Sequence, residues 1–308
     1  MDADDRALLV ASLDATLSGD ADAAGNDAAL DGLGWVDMLV AEPLDAVAEV
    51  FSALGRHAAD SSVLDDVVGT AFGLAPGATI VHPAWGHTTP PDPGDGSRRG
   101  VAGSRIGAAE VLHVLGTEGI AVVDAAAAEV MPTSPDGRLH PIAVDDSDTD
   151  VIGHSEAAFA DAVTAARRAI AHQLHGLAVA MLELARQHAL DRIQFGRPIG
   201  SFQAVRHKLA ETLVAIEGAA AALTAADETG DPILVDLARV LAGRAAADAG
   251  RHGQQVLAGI GFTRDHDFHR FLFAAIELDG LYGTTAAITK QLGHRLIADR
   301  AVPRTVEL

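Results

Sequence analysis

The apolar side chains of Val163, Ala166, Ile170, Leu174, Leu177, Met181 and Leu184 recur three and four positions apart. That spacing gathers them on one face of an α-helix, whereas a strand would scatter them over both of its faces. Val205, Leu209, Leu213 and Ile216 repeat the pattern, and two further helical patterns run around 233–258 and 284–298. From about residue 155 onward the chain therefore predicts four long helices with short connections, the sequence form of an antiparallel four-helix bundle. Abundant alanine favours helix and lets neighbouring helices approach closely.

The first 70 or so residues also read as helical. Leu44, Val47, Val50, Phe51 and Leu54 form an amphipathic stripe just after Pro43, the residue type suited to a first helical position. Between about 75 and 150 the texture changes to short apolar runs, TIVH, VLHVLGTEGIAVVD and PIAVD, separated by turn residues. These predict a small antiparallel β unit in which Thr117-Glu118-Gly119 makes a hairpin turn. HTTPPDPGDGSRRG, residues 87–100, reads as a loop because proline and glycine sustain neither a helix nor a ladder. The fold class expected is α+β, mainly α: a helical unit over 1–72, a β unit over 73–152 and a four-helix bundle over 153–308.

A formal net charge of −21, from 22 Lys and Arg against 43 Asp and Glu, disfavours nucleic acid and anionic membrane as partners. Cysteine is absent, which removes disulfides, thiolate nucleophiles and cysteine-ligated metals and fits a reducing cytoplasm. MDADDRALLV is acidic where an export signal carries positive charge, and no apolar run reaches about 18 residues. A cytoplasmic protein without a membrane span is expected.

Several local patterns invite a chemical reading. His172 with His175, and His266 with His269, are one helical turn apart, yet neither pair has an evident third ligand, and structural histidines are the expected outcome. Gly259 and Gly261 in LAGIGFTR lack the third glycine of a dinucleotide fingerprint. Gly103-Ser104-Arg105-Ile106-Gly107 places its serine one position early for a nucleophile elbow and reads as a turn. DRIQFGRPIGSFQ is richer: Arg192 closes a long helix, Arg197 follows Phe195-Gly196, and Pro198 and Gly200 tighten the connection before Gln203. Two readings stand. Arginines in such a turn give charge-assisted bonds to phosphate while the aromatic edge packs on adenine or ribose; or a solvated loop simply places a cation at a helix C-terminus.

ALDRIQFGRPIGSFQAVRHKLAE closely resembles the signature of the acyl-CoA dehydrogenase family. QQVLAGIGFTRDHDFHRFL is similar to that family's glutamine-x-x-glycine-glycine stretch, with Ala258 in place of the first glycine. The resemblance is strong over roughly 155–300 and weak before it. It implies FAD as cofactor, bound between subunits, with Arg192, Phe195, Gln203, Gln255, Gly259 and Thr284 as flavin-binding positions, the arginine-phenylalanine turn reaching to a neighbour's flavin. The implied reaction is α,β-desaturation of an acyl-CoA thioester. A carboxylate removes the α-proton, which needs a positioned base because that proton is only weakly acidic.

Departures from the pattern narrow the expectation. The family's usual base is the glutamate of a tyrosine-glutamate-glycine-threonine stretch, and the matching stretch here, Leu281-Tyr282-Gly283-Thr284-Thr285, has Tyr282 in its place. A phenol with a pKa of about 10 is a poor base for this task. The alternative base position, ahead of Arg167, holds Ala166. The β unit lacks the family's flavin-covering strands, since Trp85 in PAWGHT does not match them, and the N-terminal and middle units are reduced. With no catalytic residue at either base position, the chain resembles the base-less subunit of actinobacterial heterotetrameric, steroid-CoA type acyl-CoA dehydrogenases. That implies a flavoprotein oxidoreductase of lipid and steroid catabolism, a base-containing partner subunit in an α2β2 assembly, and an acyl-CoA substrate. Two alternatives remain open: a self-sufficient homomer whose base is relocated to Glu277 or Asp279, and a flavin-free scaffold.

Overall fold

The computed structural model of the chain describes residues 1–90, 97–116, 119–133, 137–145, 150–153 and 156–300. Five helices come first: α1 (Ala3–Leu17), α2 (Ala23–Gly32), α3 (Trp35–Ala41), α4 (Pro43–His57) and α5 (Val63–Ala71). Their ends follow local chemistry. Asp2 and Asp22 accept backbone N–H bonds at the starts of α1 and α2, and Pro43 occupies the first turn of α4. Val47, Val50, Phe51 and Leu54 of α4 are buried, as their spacing predicts.

Seven strands follow: β1 (Thr79–Pro83), β2 (Ser97–Ala102), β3 (Val111–Leu115), β4 (Gly119–Asp124), β5 (Ala128–Val130), β6 (His140–Asp145) and β7 (Asp150–Gly153). They form one sheet in the order β5-β6-β2-β1-β3-β4-β7. Side chains alternate across it. Ile80, Leu115 and Ile120 face the main core, while Val81, Val114, Ala121 and Val144 build a second cluster on the opposite face.

The sheet corrects two sequence expectations. It is not wholly antiparallel, because β1 and β3 pair in parallel, with Ile80 opposite His113; the intervening β2 gives the crossover the length such a pair needs. Residues 97–100, expected in a loop, belong to β2, which is hydrogen-bonded on both sides, to β1 and to β6. Two ladder neighbours outweigh a composition that favours a turn. β3 and β4 pair antiparallel as a hairpin, while Thr117 and Glu118 of the expected turn lie outside the described residues, as do residues 91–96. Ser104–Ala108 is a short 3-10 turn.

The C-terminal part contains the four expected helical patterns as α6 (Glu156–Asp191), α7 (Gln203–Thr229), α8 (Pro232–Leu257) and α10 (Thr285–Asp299). A fifth helix, α9 (Phe268–Asp279), stands between the last two. At about 1.5 Å per residue, α6 is a shaft of about 54 Å, against which α4, α5, α7, α8 and α9 all pack. Its crossing with α4 depends on glycine at the contact point. A Cβ on Gly55 would lie 2.2 Å from the Gln173 carbonyl oxygen, and one on Gly176 2.4 Å from that of Ser52. The mean hydropathy of α7 reaches 1.4 over an 18-residue window, enough by length and composition to cross a bilayer. Thr212, Ile216, Ala219, Leu223 and Ala226 of that helix are buried against the bundle.

Candidate functional site

The family-like segments fold into two sites at separate ends of the bundle. At the first, α6 stops at Asp191 and the chain turns back through β8 (Ile193–Gln194) and β9 (Arg197–Pro198). Gln194 pairs with Arg197, leaving Phe195-Gly196 as a two-residue turn with φ of 52° and 77°. Two consecutive positive φ values define the hairpin turn that Asn-Gly normally fills. Phenylalanine there holds an unfavourable backbone and leaves its ring 91 % exposed. That ring makes a T-shaped contact with Phe202, centroids 6.1 Å apart, and the Arg197 guanidinium lies over the Phe202 ring at 4.4 Å. Arg192 fixes the hairpin base through its backbone, donating to the His188 carbonyl and accepting from Ile199 N–H. Its exposed guanidinium has no hydrogen-bond or ion-pair partner among the described residues.

The second family-like stretch reaches the same end of the molecule. Ala185 and Ala189 of α6, Val256 of α8, Ile199, and Val205 and Leu209 of α7 form a small apolar cluster that ties hairpin and α8 terminus together. Beyond Leu257 the backbone turns at Ala258 with φ 56° and ψ −136°, a region that glycine occupies freely and alanine does not. Arg251, Gln254, Gln255, Ala258, Gly259 and Phe262 line a groove of about 620 Å³. The structure thus brings Arg192, Phe195, Gln203, Gln255 and Gly259 to one end of the bundle, all exposed. Partial burial first, then the charges of His266 and Arg192, lower the pKa of His188.

Thr284 lies elsewhere, where its hydroxyl accepts from Ala287 N–H at the start of α10. The loop that precedes it is held by Arg167, whose Nε donates to the Tyr282 carbonyl at 3.0 Å. Arg167 and Arg192 are about 37 Å apart along α6, at about 1.5 Å per residue.

Tyr282 is fully buried with φ 54°. Its hydroxyl is 2.8 Å from His82 Nδ1, and His82 Nε2 is 2.9 Å from Asp65 Oδ1. The network is satisfied when Tyr282 donates to Nδ1 and Nε2–H donates to the carboxylate. Burial, followed by the Asp65 charge, pushes the phenol pKa well above 10, so it stays neutral. Ala166 is equally buried beneath the loop. Fully buried Arg239 of α8 completes the frame, its Nη2 donating to the carbonyls of Asp279 at 3.0 Å and Leu278 at 3.3 Å.

Both nearby carboxylates are engaged within the chain. Asp279 accepts from Arg239 at 3.3 Å and from Thr285 N–H at 3.1 Å, and also from the Thr285 hydroxyl. Glu277 accepts from Arg138 N–H at 3.2 Å, and burial raises its pKa. Three of the four paired histidines are in structural contacts, whereas the buried Nε2 of His175 has no hydrogen-bond partner among the described residues. His172 pairs with Asp227 at 3.1 Å, His266 Nδ1 accepts from Phe268 N–H, and His269 Nδ1 donates to the His266 carbonyl. Among the described residues no group of three or more His, Asp or Glu is arranged to hold a metal ion. Sequence reasoning did not find Asp65, His82, Arg138 or Arg239. His82 and Tyr282 are 200 positions apart, so no local pattern could join them.

Comparison with known proteins places these observations in context. Residues 157–297 match the acyl-CoA dehydrogenase, C-terminal domain, family. Acyl-CoA dehydrogenase IpdE2 of Mycobacterium tuberculosis is 40 % identical over 108 residues, 35 % of this chain and 34 % of the relative. Acyl-CoA dehydrogenase FadE34 of the same organism is 38 % identical over 123 residues, 37 % of this chain and 17 % of the relative. The matched segment thus spans about a third or less of the length of these relatives. A solved chain of a variant of the Tcur3481-Tcur3483 steroid ACAD superposes with a TM-score of 0.81 at 23 % identity, covering 97 % of this chain and 99 % of that one. A chain of the ChsE4-ChsE5 complex from M. tuberculosis gives 0.77 at 21 % identity, covering 99 % of each. At these identities the likeness establishes the fold.

Proposed function

We propose that this chain, which carries an acyl-CoA dehydrogenase C-terminal domain within an acyl-CoA dehydrogenase fold, is the base-less subunit of a heteromeric, FAD-dependent acyl-CoA dehydrogenase. The observation that carries the proposal is the contrast between its two family-like sites. The hairpin presents Phe195 at 91 % exposure beside Arg192, whose guanidinium has no partner among the described residues, whereas Tyr282, at the base position, is 0 % exposed. The residues at the hairpin end fit a nucleotide cofactor shared with another subunit. Arg192 supplies charge-assisted donors to a diphosphate, Phe195 an apolar face to adenine or ribose, and Gln203 and Gln255 neutral polar groups at the rim.

When bound, a flavin would supply a hydride acceptor for the substrate β-carbon. This chain's residues bind and orient it through the hairpin and the Gln255 groove, and the α-proton is taken by a carboxylate of the partner subunit. No group of this chain fills that role at the usual position, because a phenol with a pKa well above 10 does not take up a proton as a base at neutral pH. Two fold neighbours are a steroid ACAD and the ChsE4-ChsE5 complex, which supports a heteromeric reading; the α2β2 stoichiometry and the steroid-derived acyl-CoA thioester are part of the proposal. The cysteine-free composition suits a cytoplasmic enzyme.

Co-expression with a base-containing acyl-CoA dehydrogenase subunit tests the proposal. The expected product is a yellow complex that dehydrogenates acyl-CoA, in which Arg192→Ala lowers flavin content. Full flavin loading and turnover by this chain alone, or unchanged flavin in the assembled Arg192→Ala complex, would overturn it.

A further inference from the structure

The loop that carries Tyr282 is covered on both sides in this chain. Beneath it lies the hydrogen-bonded series Asp65–His82–Tyr282, drawn from α5, β1 and the α9–α10 loop. Above it lies the segment following β1. Gly86 N–H donates to the Gly280 carbonyl at 2.7 Å, Trp85 Nε1 to that of Glu277 at 3.2 Å, and Gln291 Nε2 to Thr88 Oγ1 at 3.1 Å. The contact is close: a Cβ on Gly280 would lie 1.8 Å from Trp85 Nε1, and one on Gly283 2.5 Å from Thr88 Cγ2. The cavity where the helical unit, the sheet and this loop meet, lined by Asp65, His82, Glu277 and Leu281 among others, has a volume of about 50 Å³. Pockets that hold cofactors or drug-sized ligands measure about 300–1,000 Å³. This one has room for a few waters.

We infer that Asp65, His82 and Tyr282 form a lock that pins the β unit and the N-terminal helices onto the bundle, and that with Trp85 and Thr88 they close this chain's own crevice to flavin and thioester. The identification of the crevice rests on the functional reading above, in which Tyr282 stands at the base position. The lock itself rests only on the contacts. Its consequence is that a carboxylate returned to position 282 recreates no active site, since the space a thioester and flavin would need is filled by the chain itself. A buried hydroxyl–imidazole–carboxylate series can elsewhere activate a nucleophile, but Tyr282 has no exposed surface from which to attack.

Thermal melts and flavin absorbance of the co-purified complex test the inference. Tyr282→Phe keeps the ring and removes the hydroxyl, leaving His82 Nδ1 without its partner, and is expected to lower Tm by about 3–6 °C with flavin content unchanged. Asp65→Asn is expected to lower Tm as well, with the double variant falling short of the sum. Tyr282→Glu is expected to add neither flavin nor turnover. An unchanged Tm in Tyr282→Phe, additive shifts in the double variant, or a gain of flavin or activity in Tyr282→Glu would overturn the lock. Arg192→Ala keeps the two readings apart. Flavin loss there with unaltered Tm bears on the docking role, Tm loss in Tyr282→Phe with unaltered flavin bears on the lock, and either can fail alone.

Discussion

Phe195-Gly196 and Tyr282-Gly283 are the same local structure put to opposite use. Each is an aromatic residue in the left-handed region, φ 52° and 54°, followed by a glycine at positive φ, 77° and 99°. Both aromatics occupy a backbone conformation that costs about 1–3 kcal/mol without a compensating contact. Tyr282 finds its compensation inside the chain, through His82, Asp65 and the Arg167 bond to its carbonyl. Phe195 has one T-shaped ring contact, with Phe202, among the described residues and remains 91 % exposed. A strained aromatic with partners at home is structural; one left exposed fits the docking role proposed for the hairpin.

The comparison is broken most severely from the buried side. Asp65→Ala removes the acceptor that orients His82 and leaves a polar series unsatisfied in the core, which is expected to destabilise by about 3–5 kcal/mol. Urea titration checks the magnitude. Hydrogen exchange over 185–209 checks locality, because the hairpin cluster is separate from the main core and is expected to lose protection only with global unfolding.

Acid acts on the shaft between the two regions. His175 of α6 has a buried Nε2 with no hydrogen-bond partner among the described residues, and desolvation lowers its pKa to about 4. The folded-state value lies below the ordinary one, so its contribution is fully present above about pH 6.5 and is lost as pH falls toward 4. The integrated loss is about 3 kcal/mol at most, at about 1.4 kcal/mol per pH unit. His175→Gln is expected to flatten that part of the stability–pH curve, read by denaturant titration at several pH values. An unchanged slope between pH 6.5 and 4 counts against a neutral buried imidazole.

Substituting Phe195 by asparagine sharpens the contrast because its two effects have opposite signs. Asparagine suits the first position of the turn, so the isolated chain is expected to gain up to about 1 kcal/mol. Under the proposed function, removing the ring is expected to weaken docking to a partner's flavin about tenfold, the scale of one aromatic stacking contact. Calorimetry on the lone chain and flavin retention in the complex read the two effects separately. A stability loss in the lone chain would mean that the ring is already supported at home.

These two regions also mark what a single sequence discloses. The hairpin is legible because its determinants are contiguous: a helix end, Phe-Gly, Pro198 and a new helix within a dozen residues. The long helices are legible for the same reason, since 3.6-residue periodicity is a local property. The lock is not, because Asp65, His82 and Tyr282 come from three elements whose meeting is a tertiary event. Residues 97–100 were obscured by composition. Their glycine and flanking prolines speak for a turn, while their place between β1 and β6 depends on a sheet order that no window reveals. Glu277 and Asp279, close to Tyr282 in sequence, could be weighed as bases from the sequence alone. Only the positions of Arg138, Arg239 and Thr285 show that both carboxylates already serve the fold.

The smallest expected effect tests whether strain at the exposed end is kept for docking or merely tolerated. Ala258, like Phe195, is a non-glycine residue at positive φ on the hairpin side, φ 56° and ψ −136°, where a glycine is free of the Cβ clash. Its methyl borders the groove that Gln255 and Phe262 line, so unlike Phe195 it offers only a small contact in return. Ala258→Gly is therefore expected to stabilise the chain by about 1 kcal/mol, the relief of strain exceeding the added backbone entropy of the unfolded state. Flavin retention in the complex is expected to stay within about twofold, which is less than 0.5 kcal/mol. If stability falls instead, the turn is held by contacts stronger than its strain. If flavin is lost without a change in stability, the methyl belongs with Phe195 as a group retained for the partner.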